Sequence, residues 1–78
     1  MLYESFFGIR VFVYANDHLP PHFHVKYAEF DAIILIETLV LDRGSLPSRQ
    51  FRQVVKWAHE QQDALRNLFH QLNPRLRQ

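Results

Sequence analysis

Phe7-Gly8-Ile9-Arg10-Val11-Phe12-Val13-Tyr14 alternates strictly, with Phe7, Ile9, Val11 and Val13 on one side and Gly8, Arg10, Phe12 and Tyr14 on the other. A period of two predicts a strand over about 6–15 with one face in a core. Immediately after it, Asn16-Asp17-His18-Leu19-Pro20-Pro21 stacks turn-forming residues against two prolines, which lack backbone donors and end the strand. Alternation resumes at His22. Phe23, Val25 and Tyr27 fall on one face and His22, His24 and Lys26 on the other, a second strand over about 22–28 that Ala28-Glu29 interrupts. The β-branched run Ala32 to Ile36 fits a central strand over about 31–37, and Leu39-Val40-Leu41 fits an edge strand over about 39–42. Asp42-Arg43-Gly44-Ser45 then closes the sheet.

Beyond Ser45 the period changes. At 100° per residue, Phe51, Val54, Val55, Ala58, Leu65, Leu68, Phe69 and Leu72 share one arc, opposite Arg49, Arg52, Lys56, Glu60, Asp63 and Arg66. This predicts a strongly amphipathic helix over about 47–73, with Ser45 and Ser48 as candidate caps, Pro47 in the first turn and Asn73-Pro74 as the stop. The expected architecture is a two-layer α+β domain. A small antiparallel sheet of three to four strands is followed by one long or broken amphipathic helix on one face, and residues 1–78 form a single domain. A continuous helix of that length runs about 37 Å, whereas strands of five or six residues span only about 17 to 20 Å. Ala58 and Leu65, seven residues apart on the same face, favour a continuous or gently bent helix; the polar pair Gln61-Gln62 marks where a break would fall. On the continuous reading Leu65, Leu68, Phe69 and Leu72 overhang the sheet and need another surface, either a second copy of the chain or a small partner protein.

Composition narrows the function. The chain has 78 residues, 47% of them hydrophobic, with 9 basic against 8 acidic side chains and no cysteine. That excludes disulfide staples and thiolate metal sites, and a net charge of +1 announces neither nucleic acid nor an anionic membrane. The apolar run Ala32 to Ile36 is far short of the roughly 20 residues that cross a bilayer, and no basic stretch leads into an apolar segment at the N-terminus. The expected location is the cytoplasm.

Three groups of residues carry possible chemistry. His22 and His24 share a strand face, with His18 and Asp17 in the adjoining loop. Such a set suits zinc or another borderline divalent metal as a water activator, with Glu37 as a further candidate ligand. His22 and His24 without metal, acting as general base and acid on a phosphodiester, are a second reading, and half-exposed strand histidines with one hydrogen bond each are a third. Arg49, Arg52 and Lys56 form a basic ridge where helix polarity disfavours cations. They suit either ion pairs with Asp31, Glu37 or Asp42, or a phosphate backbone, with Arg10 and Lys26 extending the patch and Phe12 or Tyr14 offering a stacking face. Trp57 reads as a core-boundary residue capping the sheet or as an anchor for a partner. Arg75 and Arg77 complement the negative helix end as a solvated tail. No nucleophile elbow, phosphate loop, dinucleotide fingerprint or paired-carboxylate site is present.

Several of these segments resemble a family of short bacterial proteins, the domain of unknown function numbered four thousand one hundred and sixty. The shared elements are the Phe-Phe-Gly-Ile strand start, Asn16-Asp17-His18-Leu19-Pro20-Pro21-His22-Phe23-His24-Val25, Ile36-Glu37-Thr38, the Leu46 to Gln50 helix start and Trp57-Ala58 before a long helix. The resemblance touches Asp17, Pro20, Pro21, His22, His24, Glu37, Leu46, Pro47, Arg49 and Trp57, none with an assigned role, and implies no established activity. It implies a gene often beside that of a second small protein, the two suspected of forming a toxin and antitoxin pair. Where members carry glycine in hairpin turns this chain has Ala28-Glu29 and Leu39-Val40, which implies looser or longer hairpins. Three functions are expected. One is a small interaction module within such a pair, another is a nuclease-like enzyme using His18, His22 and His24 with or without a metal, and the third is a nucleic-acid binder using Arg49, Arg52 and Lys56.

Overall fold

The computed structural model describes residues 1–76, so Arg77 lies outside the described residues. It is α+β, but the sheet has five strands: β1 (Leu2–Phe6), β2 (Ile9–Phe12), β3 (His22–Tyr27), β4 (Phe30–Leu35) and β5 (Leu41–Gly44). They pair antiparallel in chain order, β1-β2-β3-β4-β5. Two helices follow, α1 (Ser48–His59) and α2 (Gln62–Leu72), then a 3₁₀ turn over Pro74–Leu76. Among the described residues no helix is long and apolar enough to cross a membrane.

The single strand expected over about 6–15 is a hairpin. Phe7 and Gly8 take φ of 51° and 75°, and Phe6 pairs with Ile9 across this two-residue turn. Two successive left-handed residues match the right-handed twist of flanking strands. Phe7 therefore leaves the core and is 76% exposed, while Ile9, Val11 and Val13 are buried as the alternation requires. The edge strand also shifts, to Leu41–Gly44, because Leu39 turns left-handed (φ 58°) and its N–H closes on the Leu35 carbonyl at 2.9 Å. Of the two hairpins lacking glycine, the one at Leu39-Val40 is long, with residues 35–40 between paired Ile34 and Leu41, and the one at Ala28-Glu29 is not. Tyr27 pairs directly with Phe30 across Ala28-Glu29, and Ala28 adopts φ 50°.

The helix is broken at the polar pair. Glu60 and Gln61 donate their N–H groups three residues back, to the Trp57 and Ala58 carbonyls, which tightens and ends α1. The side chains then hold the break. Gln61 Oε1 accepts from Tyr3 Oη at 3.1 Å, and Gln62 Nε2 donates to the Ile36 carbonyl at 2.8 Å. At 12 residues α1 is about 18 Å long, the length of the strands it crosses. Neither serine caps it: the N-cap position is Pro47, with no side-chain hydrogen bond.

This turn removes the overhang. Leu65 and Phe69 are fully buried in one cluster with Ile9, Val11, Phe23, Val25, Ile34, Val54 and Ala58, and Leu68 and Leu72 pack against it. The distal stripe finds its cover within its own chain, which corrects the expectation that Leu65, Leu68, Phe69 and Leu72 lack a surface. α1 and α2 cover only the face of the sheet that carries Ile9, Val11, Val25 and Ile34.

Candidate functional site

Alternation along β3 sends Phe23 and Val25 into the core and turns His24 and Lys26 to the other face, while His22, at the start of the strand, is buried as well. The 13–21 segment then folds back over that end of the sheet. It bends at Asn16 (φ 58°) and holds a cis Leu19–Pro20 bond. His22 Nδ1 donates to the Pro20 carbonyl at 2.9 Å. Asp17 Oδ2 sits 2.9 Å from His22 Nε2 and 3.1 Å from His24 Nε2. One potential ligand atom from each of Asp17, His22 and His24 lies within 4.8 Å of the others.

Asp17 is itself fixed on every side. Its Oδ1 accepts from the His18 N–H at 2.9 Å, its own N–H donates to Asn73 Oδ1 at 2.7 Å, and Arg75 Nη2 donates to its carbonyl at 2.7 Å. Asn73 is fully buried and donates in turn to the Tyr14 and Phe69 carbonyls, both at 2.9 Å. The end of α2 thus anchors the loop. Arg75 is a contact of this loop and not a solvated tail. Burial raises the Asp17 pKa, but the His24 hydrogen bond, the His18 N–H and the imidazole charges outweigh it, and the carboxyl rests below its ordinary value.

His22 raises a question of valence. A carbonyl oxygen only accepts, so Nδ1 carries a proton; a carboxylate oxygen also only accepts, so Nε2 must either carry a second proton or give its lone pair to a cation. The His22 side chain is 1% exposed and lies against Phe69, ring centroids 5.5 Å apart. His24 is the open side, 25% exposed, with the Tyr14 ring edge-on at 4.6 Å.

His18 is near but outside the convergent set. Its side chain is 74% exposed, its Nε2 stands 3.7 Å from Asp17 Oδ1 and its Nδ1 bonds the Leu19 carbonyl. Glu37 is elsewhere. Both of its oxygens accept from the Arg66 guanidinium, Nη2 to Oε1 at 2.9 Å and Nε to Oε2, which holds its carboxyl below the usual range.

Arg49, Arg52 and Lys56 are exposed and make no ion pair among the described residues, so Asp31, Glu37 and Asp42 do not neutralise them. They lie on the helical layer. Arg10 and Lys26 project from the opposite face of the sheet, so the single patch expected from the sequence is two. Trp57 is half-buried at the core boundary, its ring 5.2 Å from Phe6 and 5.9 Å from Tyr3, and it lines a shallow cavity of about 480 Å³ with Phe6, Phe7, Gln53, Lys56 and Glu60.

Asn73, read from sequence only as a helix stop, is the residue most central to the loop that sequence reasoning overlooked. Its partners in the loop are 56 and 59 residues away, and nothing in the neighbouring sequence marks them. No match is found among curated proteins or among solved structures. A family model described as Domain of unknown function (DUF4160) matches residues 8–70, and the chain belongs to that family.

Proposed function

We propose that this protein binds a divalent transition metal ion through Asp17, His22 and His24. The observation that carries this is the His22 ring, whose Nδ1–H is committed to the Pro20 carbonyl while its Nε2 faces a carboxylate oxygen. A metal-bound histidine is held in this way, with the second nitrogen donating to a backbone carbonyl. Two ligands about 2.0 to 2.1 Å from a tetrahedral ion stand roughly 3.4 Å apart, so small shifts of the 2.9 and 3.1 Å contacts admit it. Two imidazoles and a carboxylate suit zinc, and the exposed edge of His24 leaves a position for water, whose activation supports hydrolysis as the reaction class.

Titration with Co(II), followed by its visible absorption, and with Zn(II), followed by melting temperature, tests the reading. One equivalent bound, with melting temperature rising as metal increases, is the expected result. Asp17→Asn and His24→Gln, each verified as folded, abolish both signals. Unchanged absorption and melting temperature at saturating metal refute it.

A second reading is the interaction module, half of a toxin and antitoxin pair in the cytoplasm, as the family resemblance implies. One observation favours it. Phe7 is 76% exposed beside the cavity formed with Phe6 and Trp57. Phe7→Ser should release a small partner protein co-purified from the native source; retention of that partner would dismiss this surface.

A further inference from the structure

We infer that the uncovered face of the sheet binds single-stranded nucleic acid, with Phe12 and Tyr14 stacking on bases and Arg10, Lys26 and Arg43 contacting phosphates. α1 and α2 occupy the face of Ile9, Val11, Val25, Ala32 and Ile34, all buried. The intervening residues therefore project from the other side. Register aligns them in rows, Arg10 opposite Lys26 and Lys26 opposite Asp31, then Phe12 opposite His24, His24 opposite Ile33 and Ile33 opposite Arg43.

Two features point to a polyanion with flat rings. Arg10 and Lys26 are like charges on directly paired residues, an arrangement that destabilises a sheet. Among the described residues neither they nor Arg43 has an ion-pair partner, and Lys26 Nζ instead rests 5.6 Å from the Phe12 ring centroid. Phosphates passing between these cations would relieve their repulsion. Phe12 and Tyr14 stand nearly parallel, 9° apart with centroids at 5.9 Å, and both are partly exposed. Aromatic faces beside a cationic groove bind unpaired bases with little regard to sequence. Asp31 lies opposite Lys26 and the Asp17 carboxylate reaches His24, so Arg10, Lys26 and Arg43 face two acids and the face stays net positive by one charge.

The inference does not rest on the metal reading, although His24 lies in the same row, and binding is measured in buffer containing a chelator. A fluorescent oligothymidylate is titrated by anisotropy. Three phosphate contacts predict that the logarithm of Kd rises with the logarithm of salt with a slope of about 2, at about 0.7 per contact. Arg10→Gln lowers that slope by about 0.7 and weakens binding about fivefold near 0.1 M salt, with melting temperature unchanged or raised. Phe12→Leu weakens binding about tenfold and leaves the slope alone. Arg49→Gln, on the opposite layer, changes neither. Absence of saturable binding at low salt overturns the inference. So does a duplex of equal length binding as tightly, or Arg49→Gln weakening binding as much as Arg10→Gln. A dimer in sedimentation that Phe12→Ser dissociates overturns it too, since the face would then be covered by a second copy.

Discussion

Replacing Phe69 with alanine tests the consequence of the helix break most directly. The ring is fully buried and touches His22 at 5.5 Å, so truncation removes a whole aromatic group from the junction of the core and the candidate site. Phe→Ala in a core costs about 3 to 5 kcal/mol, transfer and cavity combined. A folded chain of 78 residues holds about 4 to 12 kcal/mol in total. The variant should therefore lose between a quarter and all of its stability, and about 4 to 8 °C of melting temperature per kcal/mol. Urea unfolding followed by Trp57 fluorescence measures it. Because Phe69 is covered by its own chain, the loss is the same at every protein concentration. A loss under about 1 kcal/mol, or one that shrinks as the protein is diluted, would mean that Phe69 is covered by another molecule and would refute the folded-back arrangement of α2.

Gly44→Ala should destabilise strongly, because at φ 79° a Cβ would collide with the Asp31 carbonyl oxygen; a melting temperature within error of wild type would contradict the path of β5. Ala28→Gly should raise stability by about 1 kcal/mol in urea unfolding, since it relieves a left-handed alanine at φ 50°. Glu37→Gln removes the Arg66 pair, whose hydrogen bonds hold the Glu37 carboxyl below its ordinary value. A carboxyl with a folded pKa below its unfolded pKa stabilises above the unfolded value and loses that contribution as pH falls through the folded one. The wild type should therefore melt higher than this variant near neutrality, and the difference should close in acid; a constant difference across that range would contradict the pairing.

Much of this architecture was legible in the residues, and the exceptions have physical causes. β3 was readable because Phe23, Val25 and Tyr27 alternate with His22, His24 and Lys26, and the same alternation brings the two imidazoles to one face. The first strand misled because Phe7 continues the apolar parity of Ile9, Val11 and Val13, yet its left-handed backbone reverses the chain; only the neighbouring Gly8 hinted at a turn. The Ala58 to Leu65 spacing concealed the helix break, since a face preserved over seven residues is compatible with two helices that pack on one core. Gln61 and Gln62 gave the position, but their hydrogen bonds to Tyr3 and Ile36 are tertiary and leave no local trace. Asp17 joined the histidines as expected, whereas Glu37 went to Arg66, because register along β4 and the start of α2 decide which carboxylate reaches which partner.

Asn73 imposes an order of events on synthesis. The amide that braces Asp17 and the Tyr14 carbonyl emerges about fifty residues after His24, a delay of roughly 3 to 10 s at the pace of a ribosome. Throughout that interval the nascent chain carries its imidazoles without the clasp that orients their carboxylate. On the proposed metal reading, ion capture follows translation of this segment, and a ribosome stalled between the two would display histidines with no rigid cradle.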